Sequence, residues 1–211
     1  GRPDKTSFIQ SFTGSHQFVM DFLIEEVLEK LPADLEKFLL QTSILDHLSG
    51  SLCDAVLNDP LISGQETLEY LVQSNLFLVP LDQTRDWYRY HRLFADLLRQ
   101  RLQEKVGIST GVKVAELHKR ASSWYEEHGL LLEAFDHAVQ AKDLDRAERL
   151  MQGKGMPLQY RGSAAPILNW LKSLPEETMS RRPSLHIAYA TTLTMLGKPV
   201  ENIAEILTKV E

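Results

Sequence analysis

Residues 75–102, NLFLVPLDQTRDWYRYHRLFADLLRQRL, decide how the chain is read. Leu76 to Leu81 is an apolar run containing the β-favouring Phe77 and Val79. Asp82-Gln83-Thr84-Arg85 is a polar turn, and Trp87 to Tyr90 returns as an aromatic strand, so the segment predicts a β-hairpin. At His91 the period changes. Leu93, Phe94, Leu97, Leu98 and Leu102 recur at helical spacing, which predicts a helix with one buried face from His91 to Leu102.

Upstream of the hairpin the pattern is helical. Residues 16–31, HQFVMDFLIEEVLEKL, place Phe18, Val19, Phe22, Leu23, Val27, Leu28 and Leu31 on one stripe, and Pro32 stops that helix by disfavouring helical backbone in the residue before it. A second helix opens at Pro32 and Asp34 with Leu35, Phe38 and Leu39 inward, and a short third runs from Ser51 to Leu57. Ser63 starts a fourth, where Glu66 three residues on forms a capping box and Leu68, Leu71 and Val72 form the apolar face. Helices, one hairpin and a closing helix give a winged-helix-like domain over residues 16–108, after a connector over residues 1–15.

Residues 109–211 read as helices throughout. Leu117, Ala121, Trp124 and Tyr125 share a face that ends near Gly129, a C-terminal cap. Ala134, Ala138 and Val139 belong to a second helix, and Leu144, Ala147, Leu150 and Met151 to a third. Gly197 lies 68 residues after Gly129, twice the 34-residue period of tetratricopeptide repeats. Asn202 stands where the first unit has Ala134, and Met156 to Arg161 reads as a loop, so the expectation is stacked helical pairs of tetratricopeptide-like kind without a strict repeat. The expected fold class is therefore mainly α, a winged-helix-like domain with one small hairpin followed by the start of a tetratricopeptide-like superhelix.

The 211 residues carry 43% hydrophobic and 25% charged residues, with a formal charge of -6. Apolar residues spread along the whole chain exclude intrinsic disorder. No uninterrupted apolar stretch approaches the roughly 18 residues of a membrane span, so no membrane partner is expected. Cys53 is the single cysteine, which fits a reducing cytoplasm. Residues 1–106 hold 10 Lys and Arg against 16 Asp and Glu, and residues 107–211 hold 13 against 13. Neither half has the positive excess that neutralises nucleic-acid phosphates, so no DNA-binding residues are assigned. Gly1 in place of Met, and Glu211 inside a helical pattern, point to a piece of a longer protein.

Catalytic signatures are mostly absent from the sequence. It contains no G-x-x-x-x-G-K-S/T phosphate loop, no G-x-G-x-x-G and no H-E-x-x-H. Glu126, Glu127 and His128 read as the solvated end of a helix. His118 and His137, 19 residues apart, have no carboxylate or cysteine framework at ligand spacing, so no metal site and no catalytic residue is expected. Arg85, Arg89, Arg92, Arg99 and Arg101 surround Trp87, Tyr88 and Tyr90, an interleaving that can bind nucleic acid. Asp82, Asp86 and Asp96 lie among them, and the better reading is aromatics stapling the hairpin to the core with arginines paired to acids. His91 stands where strand gives way to helix, a position at which the first helical N–H groups favour anions. It either caps its own helix and packs on Tyr90 or adds an N–H to a phosphate held by a neighbouring domain.

Four blocks carry a resemblance: FTGSHQFVMDFLIEEVL, FLLQTSILDHLSGSLCDAVL, the opening segment of residues 75–102, and ELHKRASSWYEEHGLLLEAFDHAVQAKDLDRAERLM. In this order they resemble the large ATP-binding LuxR-type (MalT-like) transcription regulators, over roughly residues 8–211. The resemblance implies a signal-transduction ATPase in which a nucleotide-binding domain precedes the winged-helix region, a tetratricopeptide-like superhelix senses a small-molecule or protein inducer, and a C-terminal helix-turn-helix alone reads DNA. The present chain corresponds to the winged-helix region and the first part of the superhelix. It would hold no cofactor of its own, while the full-length protein would bind ATP and ADP through the missing nucleotide-binding domain. The wider ATPase class carries a Met-His-Asp motif whose histidine touches the β-phosphate of ADP. Tyr90-His91-Arg92-Leu93 is similar at the histidine and departs at both neighbours, so only His91 is carried over, as a phosphate sensor, and the role of Arg92 stays open.

The function expected on these grounds is a non-catalytic regulatory fragment of an ATP-dependent transcription activator. The alternative is a helical protein-interaction scaffold unrelated to transcription.

Overall fold

A computed structural model describes residues 28–105, 113–153, 157–162 and 164–197. It is mainly helical, with ten α-helices and one two-stranded antiparallel hairpin among the described residues. The chain divides into two compact units, Gly1–Ala121 and Ser122–Glu211. The expected first helix, residues 16–31, lies outside the described residues except for a short 3-10 turn at Leu28–Lys30.

In the first unit, helix α1 (Ala33–Thr42) follows Pro32, and buries Phe38 and Leu39 as the periodicity requires. Helix α2 (Gly50–Leu57) opens on Ser49, whose hydroxyl accepts the Leu52 N–H, and closes on Asn58 in the left-handed conformation at φ 49°. Arg120 adds a second closure, donating from Nη1 to the carbonyls of Val56 (3.1 Å) and Leu57 (3.2 Å). Those carbonyls sit at the negative end of the helix, where a cation is favoured. Helix α3 (Gly64–Gln73) is capped by Ser63, which accepts from the Glu66 N–H. The two helices pack with glycine against glycine: a Cβ on Gly64 would lie 2.4 Å from the Gly50 carbonyl oxygen.

Strands β1 (Leu78–Pro80) and β2 (Tyr88–Tyr90) pair antiparallel, with Leu78 opposite Tyr90 and Pro80 opposite Tyr88. The first strand is shorter than the apolar run that predicts it. Asn75 and Phe77 both take positive φ, 53° and 54°, so the chain reverses after α3 before it extends. Only Leu78 of the strand points inward, leaving Phe77, Val79 and Leu81 exposed. Trp87 also falls outside the second strand. Its N–H and that of Asp86 both donate to the Asp82 carboxylate, which closes the connecting loop from within. Leu48 forms a further bridge to Tyr88 on the other side of β2, each N–H donating to the other's carbonyl at 2.8 Å. Helix α4 (Arg92–Lys105) then lays Phe94, Leu97, Leu98 and Leu102 onto the core beside α1.

Helix α5 (Val114–Glu127) begins in the first unit and ends in the second. Within the second unit, Gly129 turns the chain at φ 75°. Helices α6 (Leu131–Gln140) and α7 (Leu144–Gln152) follow and pack on each other across a three-residue turn in which Lys142 is left-handed. Ala134, Ala138 and Ala147, all buried, let the pair approach closely. A 3-10 turn at Leu158–Arg161 occupies the segment read as a loop. Helices α8 (Ala164–Ser173), α9 (Glu176–Ser180) and α10 (Pro183–Met195) complete the described part, with α10 against both α8 and α9.

No helix among the described residues is long and apolar enough to cross a membrane.

Candidate functional site

The junction between β2 and α4 brings together the residues around His91. Tyr88 and Tyr90 alternate inward along β2 while Arg89 points out, as a strand with one buried face dictates. The Tyr90 hydroxyl reaches the Thr42 hydroxyl of α1 at 2.7 Å, and Thr42 in turn donates to the Phe38 carbonyl. Burial pushes the Tyr90 phenol above its ordinary range, with the neighbouring Cys53 adding to the effect. Cys53 is itself wholly interior, and its thiol is raised by burial and then by the charge of Asp54. A thiol in that condition is not a nucleophile.

His91 is exposed. Its backbone is held on both sides: its N–H donates to the Phe77 carbonyl at 2.7 Å, and its carbonyl accepts the Ala95 N–H at 2.9 Å as the first bond of α4. The Phe77 ring lies 5.1 Å from that of Phe94, and Tyr90 meets Phe94 edge to face at 6.0 Å. A bulky residue at positive φ is strained, and here the strained Phe77 carbonyl is the one that fixes His91. The imidazole therefore heads a fourteen-residue helix on a backbone locked by two hydrogen bonds, where the helix's positive end favours an anion.

The five arginines of the segment divide. Arg99 donates to the Ser43 carbonyl (2.8 Å) and pairs with Asp46 (2.7 Å), tying α4 to the loop after α1. It also approaches Asp96 at 3.9 Å, and Arg101 pairs with Glu104 at 3.1 Å. Arg85, Arg89 and Arg92 are exposed. Of the three acids interleaved with the arginines, Asp96 approaches one of them, whereas Asp82 caps the loop and Asp86 accepts from the Thr84 hydroxyl.

The remaining histidines weighed as ligands are placed by packing. His118 is half-buried, and its pKa falls from the usual 6.5 to about 4, by burial first and by the Arg99 charge second. His128 stacks on Trp124 at 3.7 Å and hydrogen-bonds the Trp124 carbonyl through Nδ1. His137 stacks on Tyr125. Glu126 belongs to an ion cluster with Arg146 (2.6 Å) and Arg149 (2.5 Å), while the Arg146 Nε donates to Ser122. Among the described residues no group of three or more His, Cys, Asp or Glu side chains is placed to hold a metal.

Sequence reasoning passed over the positive φ of Phe77 and the anchoring role of Arg99. The only prior signal for the first is Asn75 directly after a helix, since Asn is a frequent left-handed residue there. The second had none, because a bond from residue 99 to residue 43 has no local pattern.

Residues 24–107 match the family described as the MalT winged helix domain. Over 199 residues the chain is also 33% identical to proteins named serine/threonine-protein kinase PknK, from two strains of Mycobacterium tuberculosis and one of Mycobacterium bovis. The alignment takes in 94% of this chain and 17% of the length of each of these relatives.

Proposed function

We propose, from the match of residues 24–107 to the MalT winged helix domain, that the chain is a non-catalytic regulatory module of a larger, ATP-dependent LuxR-type transcription activator. In this reading it couples the nucleotide state of one domain to effector sensing by another. The observation that carries it is the exposed His91 at the head of α4, held by its own backbone bonds to Phe77 and Ala95. An exposed imidazole on a rigid, electropositive helix start suits contact with a phosphate presented by another domain.

The rest of the reading follows from that role. The nucleotide-binding domain of the same protein supplies ATP or ADP, and His91 donates to the ADP phosphate in the resting state. Helices α6 to α10 begin a tetratricopeptide-like superhelix that receives the inducer, a reading supported by the close α6–α7 pair and its three-residue turn. DNA is read by a separate C-terminal helix-turn-helix in the cytoplasm, since neither half of this chain carries a basic excess.

A second reading has its own support. Proteins named as serine/threonine kinases share about a third of their residues with this chain over nearly its whole length. The same module would then govern phosphorylation in place of transcription. A helical interaction scaffold without nucleotide coupling is the third reading.

The test is His91→Ala in the full-length protein, with ADP affinity, effector-independent transcription and phosphorylation measured together. Weaker ADP binding with a rise in either output is expected, and the output that rises tells the first two readings apart. Unchanged ADP affinity removes the phosphate-sensing role and leaves the scaffold.

A further inference from the structure

Exposed apolar residues scattered singly over a surface carry no message, whereas a contiguous group marks a contact site. The hairpin holds such a group. Phe77, Val79 and Leu81 are 37%, 37% and 43% exposed and follow one another at every second position. Val79 stands directly opposite Arg89 of β2, and both lie on the outer face, because Leu78, Tyr88 and Tyr90 take the inward positions.

The hairpin and the helix start after it also carry cations that the chain leaves unmatched. Arg85, Arg89 and Arg92 are exposed, and their side chains make no hydrogen bond or ion pair among the described residues. Elsewhere pairing is the rule: Arg99, Arg146, Arg149 and Arg182 each meet a carboxylate within 2.7 Å. The acids nearest in sequence are spent inside the loop. Asp82 accepts the N–H groups of Asp86 and Trp87, and Asp86 accepts the Thr84 hydroxyl.

An occupant of this face must bring apolar side chains and negative charge together. Nucleic acid brings the charge but finds few rings to stack on, since Tyr88 and Tyr90 are buried and the Phe77 ring lies against Phe94 at 5.1 Å. The surplus of acids over bases in residues 1–106 also opposes any broad polyanion. A partner strand would meet a gap at the open edge of β1. Leu81 donates across the hairpin to Trp87, so Pro80 faces that edge and has no N–H to give. A helix laid across the face needs no such donor. Phe77 to Leu81 spans about 13 Å, or about two and a half helical turns.

We propose that the outer face of the hairpin docks an acidic amphipathic helix of a partner protein. Its apolar stripe covers Phe77, Val79 and Leu81, and its carboxylates meet Arg85, Arg89 and Arg92. This docking needs no nucleotide, so it stands or falls apart from the phosphate contact at His91.

The test measures fluorescence anisotropy of two labelled peptides titrated with the 211-residue chain. One carries leucine and glutamate at helical spacing, and the other has lysine in place of each glutamate. The acidic peptide binds saturably, and the basic one at least about tenfold more weakly. Arg89→Glu and Val79→Ser, both at exposed positions, keep the Tm and each weaken the acidic peptide by about tenfold. Arg161→Glu, which makes the same charge change at an exposed site in the second unit, leaves binding unchanged. No binding of the acidic peptide, equal binding of the basic one, or binding that survives either folded hairpin variant overturns the proposal. An equal loss in Arg161→Glu does so as well. Tighter binding of oligo-dT or of phosphatidylserine vesicles, lost in Arg89→Glu, gives the face to nucleic acid or to a lipid surface and also overturns it.

Discussion

The hydroxyl of Tyr90 lies 2.7 Å from that of Thr42 inside the first unit, and the two residues are not equivalent in that bond. Thr42 spends its own proton on the Phe38 carbonyl, so Tyr90 is the donor and Thr42 the acceptor. Thr42→Val strands a buried phenol and is expected to cost about 1–3 kcal/mol, whereas Tyr90→Phe leaves Thr42 bonded to Phe38 and costs about 0.5–1.5 kcal/mol. Urea unfolding of the two variants checks the order. A larger loss for Tyr90→Phe reverses the assignment of donor and acceptor.

Gly64 and Gly129 test two different uses of glycine. Gly64→Ala drives a methyl against the Gly50 carbonyl and should cost about 3 kcal/mol or more, since backbone cannot yield as a flexible side chain does. Gly129→Ala meets no atom within 4 Å but must hold φ near 75°, a penalty of about 1–2 kcal/mol. Melting temperatures of both variants decide whether the α2–α3 crossing is as tight as it looks.

His118 makes the first unit sensitive to mild acid. Its folded pKa is depressed to about 4 from 6.5, so below pH 6.5 the unfolded chain binds a proton that the folded chain does not. Its share of stability is complete above pH 6.5 and drains away as pH falls toward 4. Replacing His118 with Gln should flatten that limb of the stability profile. An unchanged slope between pH 6.5 and 4 would place the acid sensitivity elsewhere.

Glu126 receives both Arg146 and Arg149 from α7. Glu126→Gln should lower stability by about 1 kcal/mol, and the loss should shrink in high salt, because Arg149 and its partner oxygen are partly solvated. Denaturant midpoints at two salt concentrations report both effects.

The phosphate contact proposed for His91 has a size. A hydrogen bond to a charged group is worth roughly 1.5–3 kcal/mol, so its loss in His91→Ala should raise the ratio of open to closed full-length protein by about 10- to 150-fold. Nucleotide affinity measured beside uninduced output gives that ratio. A variant that melts earlier yet binds ADP as before would assign His91 to capping alone.

Much of this architecture is legible in the sequence. Ser49, Ser63 and Gly129 mark helix ends by local chemistry, and the leucines of α4 declare their buried face by spacing alone. The hairpin was visible in its aromatic return strand, because Tyr88 and Tyr90 alternate with Arg89. Its first strand is shorter than the apolar run suggests, since such a run signals burial and Phe77, Val79 and Leu81 are exposed. The bond from Arg99 to Ser43 depends on residues that only folding brings together. His91 is legible by its place between strand and helix, since β2 ends at Tyr90 and α4 starts at Arg92.

The lone interior thiol gives the molecule a clock. Cys53 is sealed in the first unit and carries a raised pKa, so an alkylating reagent reaches it only when the unit opens. With no second cysteine in the sequence to confuse the count, the mass gained per minute in native buffer reads how often the helices around α2 part. That tick turns a side chain with no chemistry of its own into a witness of how the first unit breathes.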